Sequence, residues 1–333
     1  MEENRTWFYG CRAGTVEGVR IPTFPDLLRA RRTVRAHLPP TPLRPAPGLG
    51  PGVLIKHENV QPTGAFKVRG GLNLLAGLDA EARRRGVVGY STGNHAQSLA
   101  HAAALFDVPC AIVMPVDPNP LKAAAVRALG AELVEAGGTF DQAREHAALL
   151  ARERGMRLVS AADEPEIIAG VATAYLELFE QRPDLDVVIV PVGSGSGAAA
   201  ACLVAAALAP DCEVIAVQTS ASPAAHDSWR AGELVARPNR TAVEGLATGS
   251  GFALPQRVLR ARLSDFRLVD DAAVRHAQWV MLRDGQTLAE GAGAAPLAAY
   301  LAEPERFAGR SVALVCTGAN AGEAEIRAAV GAG

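Results

Sequence analysis

The chain has 333 residues, of which 49% are hydrophobic and 20% charged, enough apolar material for one large or two modest globular domains. Its formal charge of −2 and its lack of long runs of like charge argue against nucleic-acid and membrane-surface partners and favour a small molecule. No stretch approaches the ~18 consecutive apolar residues of a membrane span, and the N-terminus lacks the apolar segment of a signal peptide. The sequence therefore predicts a cytoplasmic protein.

The cysteines and lysines further limit the kinds of site that the chain can contain. Five cysteines lack the spacing of zinc ligands, and their odd number argues against a disulfide framework, so a reducing compartment is expected. They are Cys11, Cys110, Cys202, Cys212 and Cys316. Only three of the 33 basic residues are lysine, namely Lys56, Lys67 and Lys122. Because arginine supplies positive charge almost everywhere else, each lysine is a candidate for a chemical role.

The first sixty residues are rich in proline and arginine and predict an arm or linker that leads into the main domain. The stretch 38–43 must be extended or turning, because its prolines cannot donate to a β-ladder. The stretch 6–19 contains three adjacent aromatic residues, 7–9. It fits a dimer arm or a cover over the active site, and it fits a loosely packed tail equally well.

From about residue 86 onward, short apolar runs alternate with longer segments of helical period. This pattern predicts an α/β protein with a parallel sheet and right-handed crossovers. The predicted strands are 86–90, 109–114, 132–136, 157–160, 186–191, 213–218, 266–269 and 311–315. The predicted helices are 95–106, 120–129, 140–154, 165–181, 198–208 and 271–284. In such sheets, ligands bind in the loops that follow strands, so those loops are where chemistry is expected.

The first candidate segment, 58–71, contains Lys67 between Phe66 and a helix-like run. Apolar surroundings lower the pKa of a lysine towards that of a free amine, and a free amine can form a Schiff base. Taken alone, a lysine that extends to solvent is the simpler interpretation. A phosphate site elsewhere in the chain would favour the chemical role.

The second candidate segment is Ser91-Thr92-Gly93-Asn94-His95, between a predicted strand and a predicted helix. Backbone N–H groups at a helix start, with hydroxyl and amide side chains beside them, suit a carboxylate ligand. An ordinary helix-capping cluster is the alternative, and His95 by itself is a weak signal.

The third candidate segment runs from Val190 to Gly197 and ends in alternating glycine and serine. Small residues let successive N–H groups converge on one anion, the following helix adds its positive end, and Ser194 and Ser196 can donate hydroxyl hydrogen bonds. The segment has neither the lysine of a Walker A loop nor the register of a dinucleotide fingerprint. It indicates a phosphate cradle, with a tight turn as the alternative.

Together, these segments and 316–320 resemble the four signatures of the pyridoxal-phosphate (PLP) enzymes of the serine/threonine dehydratase and serine racemase family. The resemblance runs from about residue 23 to residue 330. It implies PLP fold type II, the tryptophan synthase β-like fold, with two open, twisted, mostly parallel sheets flanked by helices. It also implies a large PLP-binding domain, 1–87 and 164–333, a small mobile domain, 88–163, and a homodimer.

The resemblance also implies a role for each matching residue. Lys67 carries PLP and acts as a catalytic group, and Thr92 is a second catalytic candidate. The substrate carboxylate is held by Ser91, Thr92, Gly93, Asn94 and His95. The remaining cofactor contacts are Phe66 and Gly245 on the two ring faces, Asn94 at the phenolic oxygen, Thr317 at the ring nitrogen, and Gly193, Ser194, Gly195, Ser196 and Gly197 around the phosphate.

The implied reaction is α,β-elimination of L-threonine, L-serine or a related β-hydroxy amino acid to a 2-oxo acid and ammonia. A hydroxyl from Thr317 in place of an acid leaves the ring nitrogen largely unprotonated, which favours elimination. Racemisation stays open because Thr92 supplies a hydroxyl where racemases of the family have serine. β-Replacement and a catalytically silent PLP-binding protein are further alternatives. The stretch 218–225 lacks the carboxylates that bind a divalent cation in some relatives, so no metal is expected there.

Overall fold

The computed structural model describes residues 20–332, which form two β-sheets flanked by α-helices. The stretch 6–19 lies outside the described residues. The strands are β1 (Leu43–Pro45), β2 (Val53–His57), β3 (Val87–Tyr90), β4 (Cys110–Met114), β5 (Glu132–Glu135), β6 (Arg157–Val159), β7 (Val187–Pro191), β8 (Glu213–Thr219), β9 (Asp265–Val269) and β10 (Val312–Cys316). The helices are α1 (Phe24–Arg35), α2 (Val68–Ala76), α3 (Ala80–Arg85), α4 (Asn94–Phe106), α5 (Pro120–Ala128), α6 (Phe140–Arg154), α7 (Pro165–Gln181), α8 (Ser196–Leu208), α9 (Ala224–Ala231), α10 (Ala253–Arg262), α11 (Asp271–Arg283), α12 (Gly291–Ala302) and α13 (Glu323–Val330).

The two sheets differ in size but are both built mainly from parallel strands. The six-stranded sheet has the order β1-β2-β10-β7-β8-β9, and only its β1–β2 pair is antiparallel. The four-stranded sheet has the order β5-β4-β3-β6 and is parallel throughout. The α/β class and the two mostly parallel sheets are therefore confirmed. The boundaries and mobility of a small domain, 88–163, remain a prediction.

The eight predicted strands and six predicted helices are all present, and their bounds differ by two residues at most. The expectation of an arm or linker over the first sixty residues is wrong for the described part, because β2 is a fully buried strand between β1 and β10. Because the strand contains the polar residues Lys56 and His57, its sequence resembles that of an exposed segment. Lys56 is nevertheless buried, because its charge is paired inside the protein.

A buried ion cluster joins β2, α2 and α7. Arg69 donates to Glu58 at 2.7 Å through Nε and to Glu177 at 2.7 Å through Nη1, while Lys56 Nζ lies 3.1 Å from Glu177. Two cations thus meet two carboxylates, so no net charge is buried. Because Arg69 lies in the first turn of α2, two residues after Lys67, the cluster fixes the helix that follows Lys67.

Helix α7 also supports α2 through close packing. Its residues are mostly apolar, and it packs against α1, α2 and α8 with Ile167–Phe179 all buried. Gly170 allows close contact with α2, since a Cβ atom there would overlap the carbonyl oxygen of Arg69. The start of α2 is therefore held by both charge pairing and close packing.

Two global properties follow from the described residues. Within residues 20–332, no helix is both long enough and apolar enough to cross a membrane. The four cysteines of this range, Cys110, Cys202, Cys212 and Cys316, are all free thiols.

Candidate active site

A single pocket lies where strands from both sheets end. Lys67 follows β2, the loop 91–93 follows β3, the loop 192–195 follows β7, and Thr317 follows β10. These are carboxyl ends of parallel strands, the expected position for a ligand site in this class of fold. All the predicted site residues line this pocket: Phe66, Lys67, Ser91, Thr92, Gly93, Asn94, His95, Gly193, Ser194, Gly195, Ser196, Gly197, Gly245 and Thr317.

The amine of Lys67 is partly buried in the pocket wall, and its hydrogen-bond partners are neutral groups. Its Nζ atom lies 2.7 Å from Ser196 Oγ and 3.1 Å from Ser194 Oγ, and it donates to the Ala161 carbonyl oxygen at 3.3 Å. Burial lowers the pKa of Lys67 from 10.5 to about 7. An amine with this pKa is substantially unprotonated at neutral pH, the form that attacks a carbonyl carbon.

The glycine-serine loop is shaped to bring backbone close to a ligand. A Cβ atom on Gly193 would overlap the carbonyl oxygen of Gly245, and Gly195 has a φ of +90° that favours glycine. The loop leads directly into α8, so its N–H groups and hydroxyls lie at the positive end of a 13-residue helix. These features fit a phosphate group.

An aromatic ring closes one side of the same region. The ring of Phe66 lies 3.4 Å from the position of a Cβ atom on Gly197, and Lys67 Nζ lies 5.2 Å from the ring centroid. A Cβ atom on Gly245 would come within 2.5 Å of Ala292 Cβ. The Lys67 amine, the phosphate cradle and the flat apolar contact together fit a phosphorylated pyridine aldehyde.

The loop before α4 has the chemistry of a carboxylate site. The Gly93 N–H donates to Ser91 Oγ at 3.1 Å, and Thr92 and Asn94 line the pocket beside it. Burial and the nearby Lys67 lower the pKa of His95 to about 3, so its ring is neutral at physiological pH. The helix start and these polar side chains can therefore orient an anion without adding a second cation.

Asn94, a predicted site residue, belongs to a hydrogen-bond chain whose other members, Glu290 and Asn320, were not predicted as site residues. Its Nδ2 donates to Glu290 at 2.5 Å, and its Oδ1 accepts from Asn320 at 2.7 Å. Burial raises the pKa of Glu290 to about 7, while Lys122 and the bond from Asn94 oppose that rise. A Cβ atom on Gly318 would overlap the carboxylate of Glu290, so this glycine makes room for it.

Thr317 connects β10 to the lysine segment. Its carbonyl oxygen accepts from the Phe66 N–H at 2.9 Å, and its side chain lines the pocket. The adjacent backbone continues this contact, since Ala65 pairs with Gly318. The predicted ring-nitrogen residue is therefore joined by backbone hydrogen bonding to the segment that carries Lys67.

Lys122 and Glu244 form an ion pair in the pocket to which the sequence assigned no role. The scarcity of lysine was a usable signal for Lys122. Nothing in the local sequence pointed to Glu290, whose partner Asn94 is 196 residues away in the chain.

Within residues 20–332, no group of three or more His, Cys, Asp and Glu side chains could hold a metal ion, and the absence of a metal at 218–225 stays a prediction.

Residues 34–318 match the family described as pyridoxal-phosphate dependent enzymes. The chain belongs to this family. PLP is the cofactor that gives the family its name, and the pocket described above fits it. The match includes every predicted site residue.

Curated and structural relatives agree with this membership. The chain is 34% identical to a β-hydroxyaspartate dehydratase of Paracoccus denitrificans, over 90% of this chain and 96% of that protein. It is 35% identical to an L-threonine ammonia-lyase of Thermotoga maritima, over 90% and 75% of the two chains. The solved structure of maize serine racemase matches with a TM-score of 0.87 and 26% identity, over 92% and 96%. This similarity supports PLP fold type II.

Proposed function

We propose that this PLP enzyme is an ammonia-lyase that converts a β-hydroxy amino acid to a 2-oxo acid and ammonia. The observation that carries the proposal is the Lys67 amine, which has only neutral hydrogen-bond partners and lines a pocket that also contains a glycine-serine loop and a helix start suited to a phosphate and a carboxylate. The similar dehydratase and ammonia-lyase named above support the same reaction class.

The cofactor, when bound, supplies an aldehyde for covalent attachment and a conjugated ring that accepts electron density from the substrate. Lys67 Nζ would bind the aldehyde carbon. The loop 193–197 would hold the phosphate, with Asn94 at the phenolic oxygen and Thr317 at the ring nitrogen. Phe66 and Gly245 would contact the two faces of the ring.

The protein's own groups would then position the substrate and move its proton. The segment Ser91–His95 would hold the substrate carboxylate through helix N–H groups and side chains. Released from the cofactor, Lys67 would take the proton from the substrate Cα, because an amine with a pKa of about 7 acts well as a base at neutral pH. The neutral hydroxyl of Thr317 favours elimination over longer-lived carbanion chemistry.

The test is a turnover assay on the purified holoenzyme with L-threonine, L-serine and L-threo-3-hydroxyaspartate. We expect 2-oxo acid and ammonia in equal amounts from at least one of them, and none from the Lys67→Ala variant. A wild-type holoenzyme that forms no 2-oxo acid from any of these substrates would refute the ammonia-lyase proposal and favour a silent PLP-binding protein or β-replacement. Adding a thiol nucleophile and analysing for a substituted amino acid detects β-replacement.

Racemisation is the second candidate because Thr92 brings a hydroxyl into the pocket and the maize racemase is structurally similar. Thr92→Val removes the hydroxyl while preserving the branched shape, and Thr92→Ser retains it. If Thr92 is the second acid–base group, Thr92→Val loses formation of the D-isomer and keeps elimination, whereas Thr92→Ser keeps both. Chiral chromatography of the remaining substrate measures this difference.

We also propose that the enzyme is a cytoplasmic homodimer whose small domain, 88–163, moves relative to the rest. Light scattering of the holoenzyme tests the dimer, and fluorescence microscopy of a tagged chain tests the location. Hydrogen exchange with and without substrate tests the motion, with slower exchange expected around residues 91–95 on binding.

A further inference from the structure

The ion pair between Lys122 and Glu244 lies inside the pocket but is not used in the reaction proposed above. Lys122 comes from α5, and Glu244 comes from a short 3-10 turn, Glu244–Leu246, that also lines the pocket. Their side chains differ in exposure, since that of Lys122 is 10% exposed and that of Glu244 is 47% exposed. The cation is therefore fixed in the interior, while its partner borders solvent.

Lys122 is the cation available to a ligand. Among the described residues that line the pocket, the lysines are Lys67 and Lys122, and the imidazole of His95 is neutral at physiological pH. Lys67 is committed to the cofactor and to the proton at Cα. Lys122 is therefore the cationic side chain of the pocket with which a second negative charge on a substrate can pair.

Lys122 also lies within reach of a substrate on the carboxylate loop. Its Nζ atom is 3.6 Å from the position that a Cβ atom on Gly93 would occupy. Gly93 belongs to the segment that we assign to the substrate carboxylate. A four-carbon amino acid held there by one carboxylate can extend its other end towards Lys122.

We propose that Lys122 selects β-hydroxy amino acids with an acidic side chain by binding their second carboxylate in place of Glu244. This inference rests on the proposed ammonia-lyase function and specifies its substrate class. The favoured substrates are β-hydroxy amino dicarboxylates such as 3-hydroxyaspartate, which would give oxaloacetate and ammonia.

The exchange of partners is favourable because Lys122 remains paired throughout. Glu244 can turn towards water and regain its hydration, whereas a buried cation without a partner is costly. With a neutral substrate such as threonine, Glu244 keeps its place and Lys122 gives no advantage. The pair thus favours an acidic side chain while it tolerates a neutral one.

Two unreactive acids separate this role from catalysis. Succinate and butyrate have the same four-carbon chain and differ by one carboxylate, and neither has an amine that could react with the cofactor. Calorimetric titration of the holoenzyme with each acid measures the contribution of the second carboxylate. Lys122→Met removes the cation, Lys122→Arg retains it, and Glu244→Gln removes its competitor.

Arg127→Met is the matched control, because Arg127 lies on the same helix in an exposed pair with Glu135 outside the pocket. We expect Lys122→Met to weaken succinate binding about tenfold or more, the usual effect of losing a charged hydrogen bond, and to leave butyrate binding unchanged. Lys122→Arg should restore much of the loss, Glu244→Gln should tighten succinate, and Arg127→Met should change neither acid.

The same preparations are assayed with L-threonine and L-threo-3-hydroxyaspartate. Lys122→Met should lower kcat/KM for hydroxyaspartate about tenfold relative to threonine. Equal weakening of succinate and butyrate, or an unchanged substrate ratio in an enzyme that still dehydrates threonine, would overturn the inference and leave the proposed function standing. A wild-type enzyme without 2-oxo acid product from either substrate would overturn both.

Discussion

Lys56 and Lys67 lie eleven positions apart in the chain, but Lys56 is fully buried whereas Lys67 is partly buried in the pocket wall, and their surroundings differ. Lys56 Nζ meets Glu177 and the Thr41 carbonyl oxygen, at 3.1 and 2.8 Å. Lys67 Nζ meets serine hydroxyls and a backbone carbonyl oxygen, without a carboxylate. Burial lowers the pKa of both lysines, but nearby carboxylates oppose the change only at Lys56.

This contrast shows that burial alone does not make a lysine reactive. A buried lysine with carboxylate partners has its charge compensated and joins structural elements, as Lys56 does between β2 and α7. A buried amine with only neutral partners gives up its proton readily and becomes a nucleophile or a base, as proposed for Lys67. The predictions below follow from this difference, from the largest expected effect to the smallest.

Replacing Lys67 with alanine should abolish the chemistry, whereas replacing Lys56 should not. Lys67→Ala should lower turnover by at least about 10³-fold, because both the covalent attachment point and the base are lost. Lys56→Met should leave the specific activity of the folded fraction within a few-fold of wild type. Steady-state kinetics normalised to folded protein measure both, and similar losses in the two variants would invalidate the distinction.

Removing the counter-charge should affect stability at the structural lysine. Glu177→Gln leaves Lys56 and Arg69 with Glu58 as their remaining carboxylate, so the free energy of unfolding should fall by about 3–5 kcal/mol. Urea unfolding followed by circular dichroism measures this change. A loss below about 1 kcal/mol would show that the buried cluster does not depend on charge balance.

The reactivity of Lys67 should depend on pH with a midpoint of about 7. Below that pH the amine is protonated and unreactive, so the rate at which the apoenzyme binds pyridoxal should fall about tenfold per unit. Above it the rate should level off. Pyridoxal is preferred to PLP here because it has no phosphate that titrates in the same range. A midpoint near 10.5, the ordinary lysine value, would contradict the assigned environment.

Removing one neutral partner of Lys67 should have the smallest effect. Ser196→Ala deletes the hydroxyl 2.7 Å from Nζ, and a neutral hydrogen bond contributes about 1 kcal/mol. Because we assign this hydroxyl to the cofactor phosphate as well, its loss should lower cofactor affinity about fivefold, with little change in the unfolding free energy. Equilibrium titration of the apoenzyme with PLP provides the comparison, and Ser194→Ala is the matched variant. A loss of hundreds-fold would mean that Ser196 does more than bind through one hydroxyl.

The alternating strands and helices and the local motifs could be predicted from the sequence, because both depend on residues close together in the chain. Strands with continuous apolar runs, such as Val187–Pro191, were recognised from composition. The strand Val53–His57 was missed, since the partner that buries its Lys56 lies 121 residues later. Glu290 was missed for the same reason, because only the fold brings it to Asn94.

The same limit applies to the two lysines. Scarcity made Lys56, Lys67 and Lys122 equally notable, and only the surrounding motif singled out Lys67. Their different roles depend on distant residues, which are carboxylates at Lys56, hydroxyls at Lys67 and Glu244 at Lys122. Local sequence could therefore locate the candidate site but could not supply its electrostatics.

The most direct test of the account is to identify the lysine that binds the cofactor. The purified holoenzyme is reduced with borohydride, which fixes the link between lysine and PLP, and its peptides are mapped by mass spectrometry. We predict that the reduced pyridoxyl phosphate is found on Lys67 and not on Lys56 or Lys122. Modification of Lys56 or Lys122 instead, or a holoenzyme with no modified lysine, would contradict the central claim.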